Sequence, residues 1–159
     1  YMGGLYCNAS HMINLLYYFF GRDTIFELDK VNFIEKYNKN DYLSDFSLKI
    51  GQKKAHFFSN KADKYGVFEI TMYLEKSIIS ILDWGRYISI RMAERDPLLK
   101  NRLKYSPADF KQTDFKNEMM SLYESIEKLF SSKLEVNSNI LCAYQTDIIC
   151  ENIIDAIKE

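Results

Sequence analysis

Three cysteines, two histidines, one tryptophan and two prolines are all that 159 residues hold of these types. So few cysteines exclude a disulfide scaffold and fit a reducing compartment, so a cytoplasmic location is expected. Cys142 and Cys150 fall in one helical pattern, about 12 Å apart along its axis, too far for a bridge. With His11 and His56 as the sole imidazoles, no Cys/His spacing takes a metal-site form, and no metal is expected. Neither sign of charge is in excess: Lys plus Arg is 21 and Asp plus Glu is 22, a net charge of −1. That balance leaves no electrostatic footprint for nucleic acid and no polybasic stretch for anionic lipid. The longest apolar run, Met12 to Phe20, is interrupted by Asn14 and falls well short of the ~20 residues of a membrane span. No basic region precedes it, as a signal peptide requires. A phosphate loop, a dinucleotide fingerprint and a Ser/His/Asp arrangement are also missing.

Core material, by contrast, is plentiful. Hydrophobic residues make up 47% and aromatics 15% of the chain, enough for one ordinary domain over residues 1–159. Gly3-Gly4 reads as a turn, and Asn8 or Ser10 as the cap of a helix from His11 to about Phe20, with Gly21 as its stop. Short apolar or alternating segments follow at Phe26–Glu35, Leu43–Ile50, Lys53–Ser59, Val67–Leu74, Ile78–Asp83 and Tyr87–Arg91. Phe46, Leu48 and Ile50 share one strand face, and Phe68, Ile70, Met72 and Leu74 another. Gly51-Gln52 is the Gly-X pair of a type II′ hairpin. Residues 92–112 hold both prolines and read as a long irregular loop. Two amphipathic helices close the chain, Asp114–Phe130 and Asn139–Lys158. A helix, a run of strands and two helices predict an α+β fold: an open, mainly antiparallel sheet with helices on one face. The other face, with aromatics such as Phe57, Phe68 and Tyr73, then needs cover.

The stretch GGLYCNASHMINLLYYFFG, residues 3–21, carries the one suggestive constellation. An imidazole exchanges protons near neutral pH, so His11 is a candidate general acid or base, or else a packed helix-start residue. Cys7 and Asn8 precede it by four and three residues and Asn14 follows by three, so a helical turn gathers them near the ring. Asn8 and Asn14 can hydrogen-bond a ligand hydroxyl or cap the turn. Cys7 is a candidate thiolate nucleophile or, since nothing near it favours a thiolate, a small buried thiol, the reading preferred here. His56 reads as a surface or interface residue, and Trp84-Gly85-Arg86-Tyr87 as a strand connection with packed rings.

This opening resembles the start of the C-terminal domain of the glucose–fructose oxidoreductase / inositol dehydrogenase / rhizopine catabolism (Gfo/Idh/MocA) family. There a GG turn leads into a G-S-H-x-I-D-L-L type of helix that ends at glycine. Segments like Ile50-Gly51-Gln52, Val67–Leu74, Ser77–Leu82 and Tyr87–Arg91 follow in family order, as do the closing helices, so the likeness spans nearly the whole chain. The resemblance implies a substrate-binding and dimerisation domain, a fragment whose N-terminal nucleotide-binding domain, holding NAD or NADP, is missing. It implies a small-molecule substrate oxidised or reduced at a hydroxyl of a sugar, nucleotide sugar or cyclitol, and a homodimer or higher homo-oligomer through the sheet. His11 matches the family's active-site histidine, with Tyr6, Cys7, Asn8 and Asn14 as substrate-binding neighbours. The chain departs from the pattern twice. Cys7 stands where many members carry Asp, and Asn14 replaces a second Asp; either carboxylate would fix the imidazole's tautomer. A non-catalytic relative that uses the same sheet as an interaction module is therefore the alternative.

Overall fold

The computed structural model describes residues 1–61, 67–99, 101–114 and 140–158. The α+β class holds, with the strands dividing into two antiparallel sheets rather than one open sheet. Contacts divide the chain into two compact units: residues 1–66 with 132–159, and residues 67–131.

In the first unit a single π-helical turn, Leu5–Ala9, runs directly into α1, Ser10–Phe20. Leu5, Ala9, Met12, Ile13 and Tyr17 are buried, which gives the helix its apolar stripe. Neither expected cap acts as one: α1 starts from Ala9 in helical conformation with no side-chain cap. Ser10 Oγ instead donates to Tyr6 O (2.9 Å), and Asn8 Nδ2 donates to Met2 O. The helix ends where expected, with the Gly21 N–H donating to Tyr17 O (2.9 Å). Strands β1 (Glu27–Asn38), β2 (Asp41–Ile50) and β3 (Lys53–Phe57) then form a sheet in that order.

The alternation in β2 sorts this sheet into two chemically different faces. On one, Phe46, Leu48 and Ile50 are buried, and Phe46 stacks on Phe57 at 4.3 Å between centroids. Phe57 therefore belongs to the core and is not on a face awaiting cover. On the other, Asp29 Oδ2 accepts from Lys54 Nζ (2.7 Å) and Ser47 Oγ (3.2 Å), and its Oδ1 pairs with Lys49 Nζ (3.2 Å). Ile50 pairs directly with Lys53 across Gly51-Gln52. Gly51 has φ +58 and Gln52 is not among the positive-φ residues, which fits II′ and excludes I′. The closing helix, α2 (Ile140–Lys158), buries Cys142, Ile149, Cys150, Ile153 and Ile154, and packs against β1 and α1. Burial pushes the Cys150 thiol up to about 12, with Asp147, Asp41 and Glu151 adding to the shift. Neither α2 cysteine is in a disulfide. Tyr1 is buried as well, and its hydroxyl donates to Ser44 O (2.6 Å).

The second unit is built on β4 (Ile70–Tyr73), β5 (Ser77–Leu82) and β6 (Tyr87–Arg95), with β7 (Leu103–Tyr105) and β8 (Asp109–Gln112) both paired to β6. Residues 92–112 are thus not an irregular loop. Asp96 Oδ1 accepts from the N–H groups of Leu98 (2.8 Å) and Leu99 (3.1 Å), a side-chain-capped turn that returns the chain onto β6. Register places Ile70, Ile81 and Ile88 in one cross-strand row and Met72, Ile79 and Ile90 in another, so six aliphatic side chains share one face. Phe68 does not continue that strand; its ring stacks on Trp84 at 5.5 Å, and its carbonyl accepts from Trp84 N–H (3.3 Å). The β5–β6 connection takes Asp83 and Trp84 into positive φ, and this contact holds the strained tryptophan in place. The expected helix Asp114–Phe130 and the cap Asn139 lie outside the described residues, Asp114 excepted.

Candidate functional site

The Gly3-Gly4 turn is set by a residue far along the chain. A Cβ on Gly4 would lie 1.9 Å from Asp41 Oδ2, so only glycine lets this carboxylate seat against the backbone. Asp41 is buried, at 6% exposure, and its Oδ1 accepts from Tyr6 N–H (3.2 Å) and Tyr42 N–H (2.8 Å). One side chain therefore satisfies a donor at the start of the π-turn and another at the start of β2, offsetting the cost of its own burial.

The turn so fixed carries the residues singled out above. Tyr6, Cys7 and His11 are exposed; Asn8 and Asn14 are half-buried. The π-turn and the first turn of α1 thus present a phenol, a thiol and an imidazole to solvent, while Leu5, Ala9, Met12 and Ile13 face inward. Single-turn π-helices recur at functional sites. The Cys7 thiol is exposed, contrary to the buried thiol expected of it. Asn8 is engaged by its own chain through Met2 O, and Gly3 lies beneath it, since a Cβ there would come 3.1 Å from Asn8 Nδ2. His56 is exposed on β3, its ring stacked 6.4 Å from Phe58.

A glycine turn opening a helix is where a backbone cradles a pyrophosphate. Here the Asp41 carboxylate holds that place, accepting from the turn's Tyr6 N–H. An incoming phosphate would meet a fixed acidic group instead of free donors. The residues of this turn do not fit a dinucleotide.

Sequence reasoning missed two features. Asp41 and Tyr42 fall between the segments read as strands, although Asn38-Lys39-Asn40-Asp41 is a strong turn signal. The second is an open groove of about 590 Å³ beside Tyr6, formed with the β1–β2 turn and the last turns of α2. His11 does not line it. Burial raises the Tyr6 phenol above its ordinary value, with Cys150, Glu151, Asp147 and Asp41 contributing. Among the described residues no group of His, Cys, Asp and Glu has metal-binding form, and no helix is long and apolar enough to cross a membrane.

No family model matches the chain, and no curated protein or solved structure matches it either.

Proposed function

We propose that this chain is the substrate-binding and oligomerisation domain of an NAD(P)-dependent oxidoreductase acting on a hydroxyl of a sugar, nucleotide sugar or cyclitol. The observation that carries the reading is the exposed edge of Tyr6, Cys7 and His11 on a turn locked by Gly4 and Asp41. A rigid, apolar-backed helix start with one solvent-facing imidazole is what a proton-handling group needs. In this assignment His11 takes or returns the proton of the substrate hydroxyl, and Tyr6, Cys7 and Asn14 surround the sugar. NAD or NADP supplies the hydride chemistry and is held by a separate nucleotide-binding domain, since the glycine turn here is closed to phosphate by Asp41.

The homo-oligomer forms through the five-stranded sheet, whose six-membered aliphatic face stands half-exposed. Light scattering should give a dimer mass, and Ile81→Lys should return a folded monomer. A monomer at tens of micromolar in the unmutated protein contradicts this part of the proposal.

One observation favours the alternative of a non-catalytic module. Positions 7 and 14, where the resembling family carries Asp beside the histidine, hold a thiol and an amide. Turnover decides between the two. The protein carrying its nucleotide-binding domain should form NADH or NADPH with at least one member of a panel of polyols, sugars and nucleotide sugars. A folded, cofactor-binding protein that turns over none of them leaves the module.

A further inference from the structure

We propose that the face of the five-stranded sheet opposite its aliphatic rows binds single-stranded nucleic acid. Directly paired residues of an antiparallel sheet share a face, and successive residues of a strand alternate between faces. Along β6 the face in question carries Tyr87, Ser89, Arg91, Ala93 and Arg95. Phe110 stands opposite Ser89, Tyr105 opposite Ala93, and Tyr73 joins the row of Arg91 through Ile78. Four aromatic rings and two guanidinium groups thus share one face. All six of these side chains are exposed, Tyr73 at 78% and Phe110 at 64%. The row that leads to Phe110 is made of small residues, Thr71, Ser80 and Ser89, with Thr71 Oγ1 and Ser80 Oγ sharing a hydrogen bond at 3.0 Å. It lies between the row of Tyr73 and that of Tyr87, so an unpaired base has room over it to stack on a flanking ring.

Charge on the two faces of this sheet differs in kind. On the aliphatic face Glu94 pairs with Lys104 (3.4 Å) and Asp109 with Lys111 (3.9 Å), so the charges cancel. On the aromatic face the paired strand positions hold Arg91 and Arg95 and no carboxylate. Neither arginine enters an ion pair among the described residues. The Arg91 guanidinium lies over the Tyr105 ring at 5.5 Å, and its Nε donates to Ser106 O (3.2 Å). That fixes the group on the face and leaves its terminal nitrogens to donate to an oxyanion. Arg95 follows four residues on, about 13 Å along the strand, far enough to meet a different phosphate. The chain's net charge of −1 averages over this asymmetry. An acidic peptide would satisfy the guanidinium groups and leave the rings without flat partners. A single strand of nucleic acid brings an anion and an unstacked base with every unit, whereas a duplex keeps its bases in the stack.

The face needs neither His11 nor a cofactor, so it stands or falls separately from the oxidoreductase assignment, and the aliphatic face remains available for the oligomer. The test is fluorescence anisotropy of the 159-residue chain with labelled oligothymidylate and oligouridylate of about ten nucleotides, within the span of one single-strand site. At least one should bind saturably, with Kd of about 10⁻⁴–10⁻⁶ M, and log Kd should rise with log salt concentration by about 0.7 for each phosphate contacted. Arg91→Gln should weaken binding and lower that slope by about 0.7. Phe110→Leu, which keeps apolar bulk without a ring, should weaken binding about fivefold or more, and Phe110→Tyr should bind like the unmutated chain. Lys111→Gln, on the opposite face, should change nothing. Absence of saturation with both oligonucleotides overturns the proposal. So does equal affinity for polyglutamate or for a duplex of the same length. Folded Arg91→Gln and Phe110→Leu variants that bind like the unmutated chain, or a loss in Lys111→Gln as large as theirs, overturn it as well.

Discussion

Every enclosed apolar side chain among the described residues lies in the unit of residues 1–66 and 132–159, and none in the unit of residues 67–131. The two sheets nonetheless share the same local logic of antiparallel pairing and one apolar face. What differs, among the described residues, is the second layer. In the first unit α2 packs on β1 and the π-turn packs on β2, so Leu48 reaches 0% exposure. In the second, Ile70, Met72, Ile79, Ile81, Ile88 and Ile90 line up across three strands and stay half-exposed. A strand pattern alone yields a ladder; enclosure requires a second layer.

Truncating matched aliphatic residues sharpens that difference most. Leu48→Ala should cost about 2–5 kcal/mol, and Ile79→Ala about 1–2 kcal/mol, because its side chain keeps part of its surface in water already. Urea denaturation of both variants measures this, and equal losses would erase the distinction between the units.

Gly4→Ala comes next. The added methyl meets the Asp41 carboxylate at 1.9 Å, so either the turn or the carboxylate must move, at about 2 kcal/mol or more. If the clash is the cause, the double variant Gly4→Ala/Asp41→Ala should lose less than the sum of the single changes. Additive losses in the cycle would show that the two positions are uncoupled.

The smallest effect is a pH dependence confined to the polar face of the first sheet. Lys54, with Lys49 and Ser47, holds the Asp29 carboxyl down to about 2 against the opposing effect of desolvation. Its unfolded value is about 3.9. A folded value below the unfolded one means a contribution fully present above about pH 4 and lost as pH falls through about 2. Denaturation midpoints of wild type and Asp29→Asn should therefore converge on acidification across this window. A gap that stays constant would assign Asp29 no role as an ion.

The legible parts of the fold are the local ones. The helix end at Gly21 and the hairpin at Gly51-Gln52 depend on residues a few positions apart, and both stand where the sequence placed them. Strands β7 and β8 escaped because every residue in them is exposed, so no buried period marks them. The outer part of β1 escaped for the same reason: Lys36 and Asn38 are exposed, and only their pairing with Tyr42 and Asp41 defines them as strand. Of the candidate site, the helix-start placement of His11 was readable from Gly3-Gly4. The Asp41 lock was not, since it joins positions far apart in the chain. The groove was equally hidden, because Tyr6, Tyr42 and Asp155 have no relation in sequence.

The most direct test concerns the exposed imidazole on the packed helix start. In the protein joined to the nucleotide-binding domain proposed above, His11→Ala should lower kcat by about 10²–10⁴-fold, the share of a general acid–base group, with an unchanged circular dichroism spectrum. Cys7→Ser, at an equally exposed position of the same turn, should lower it far less. A folded His11→Ala protein with unchanged kcat would contradict the assignment and leave His11 a solvent-facing residue of a structural helix.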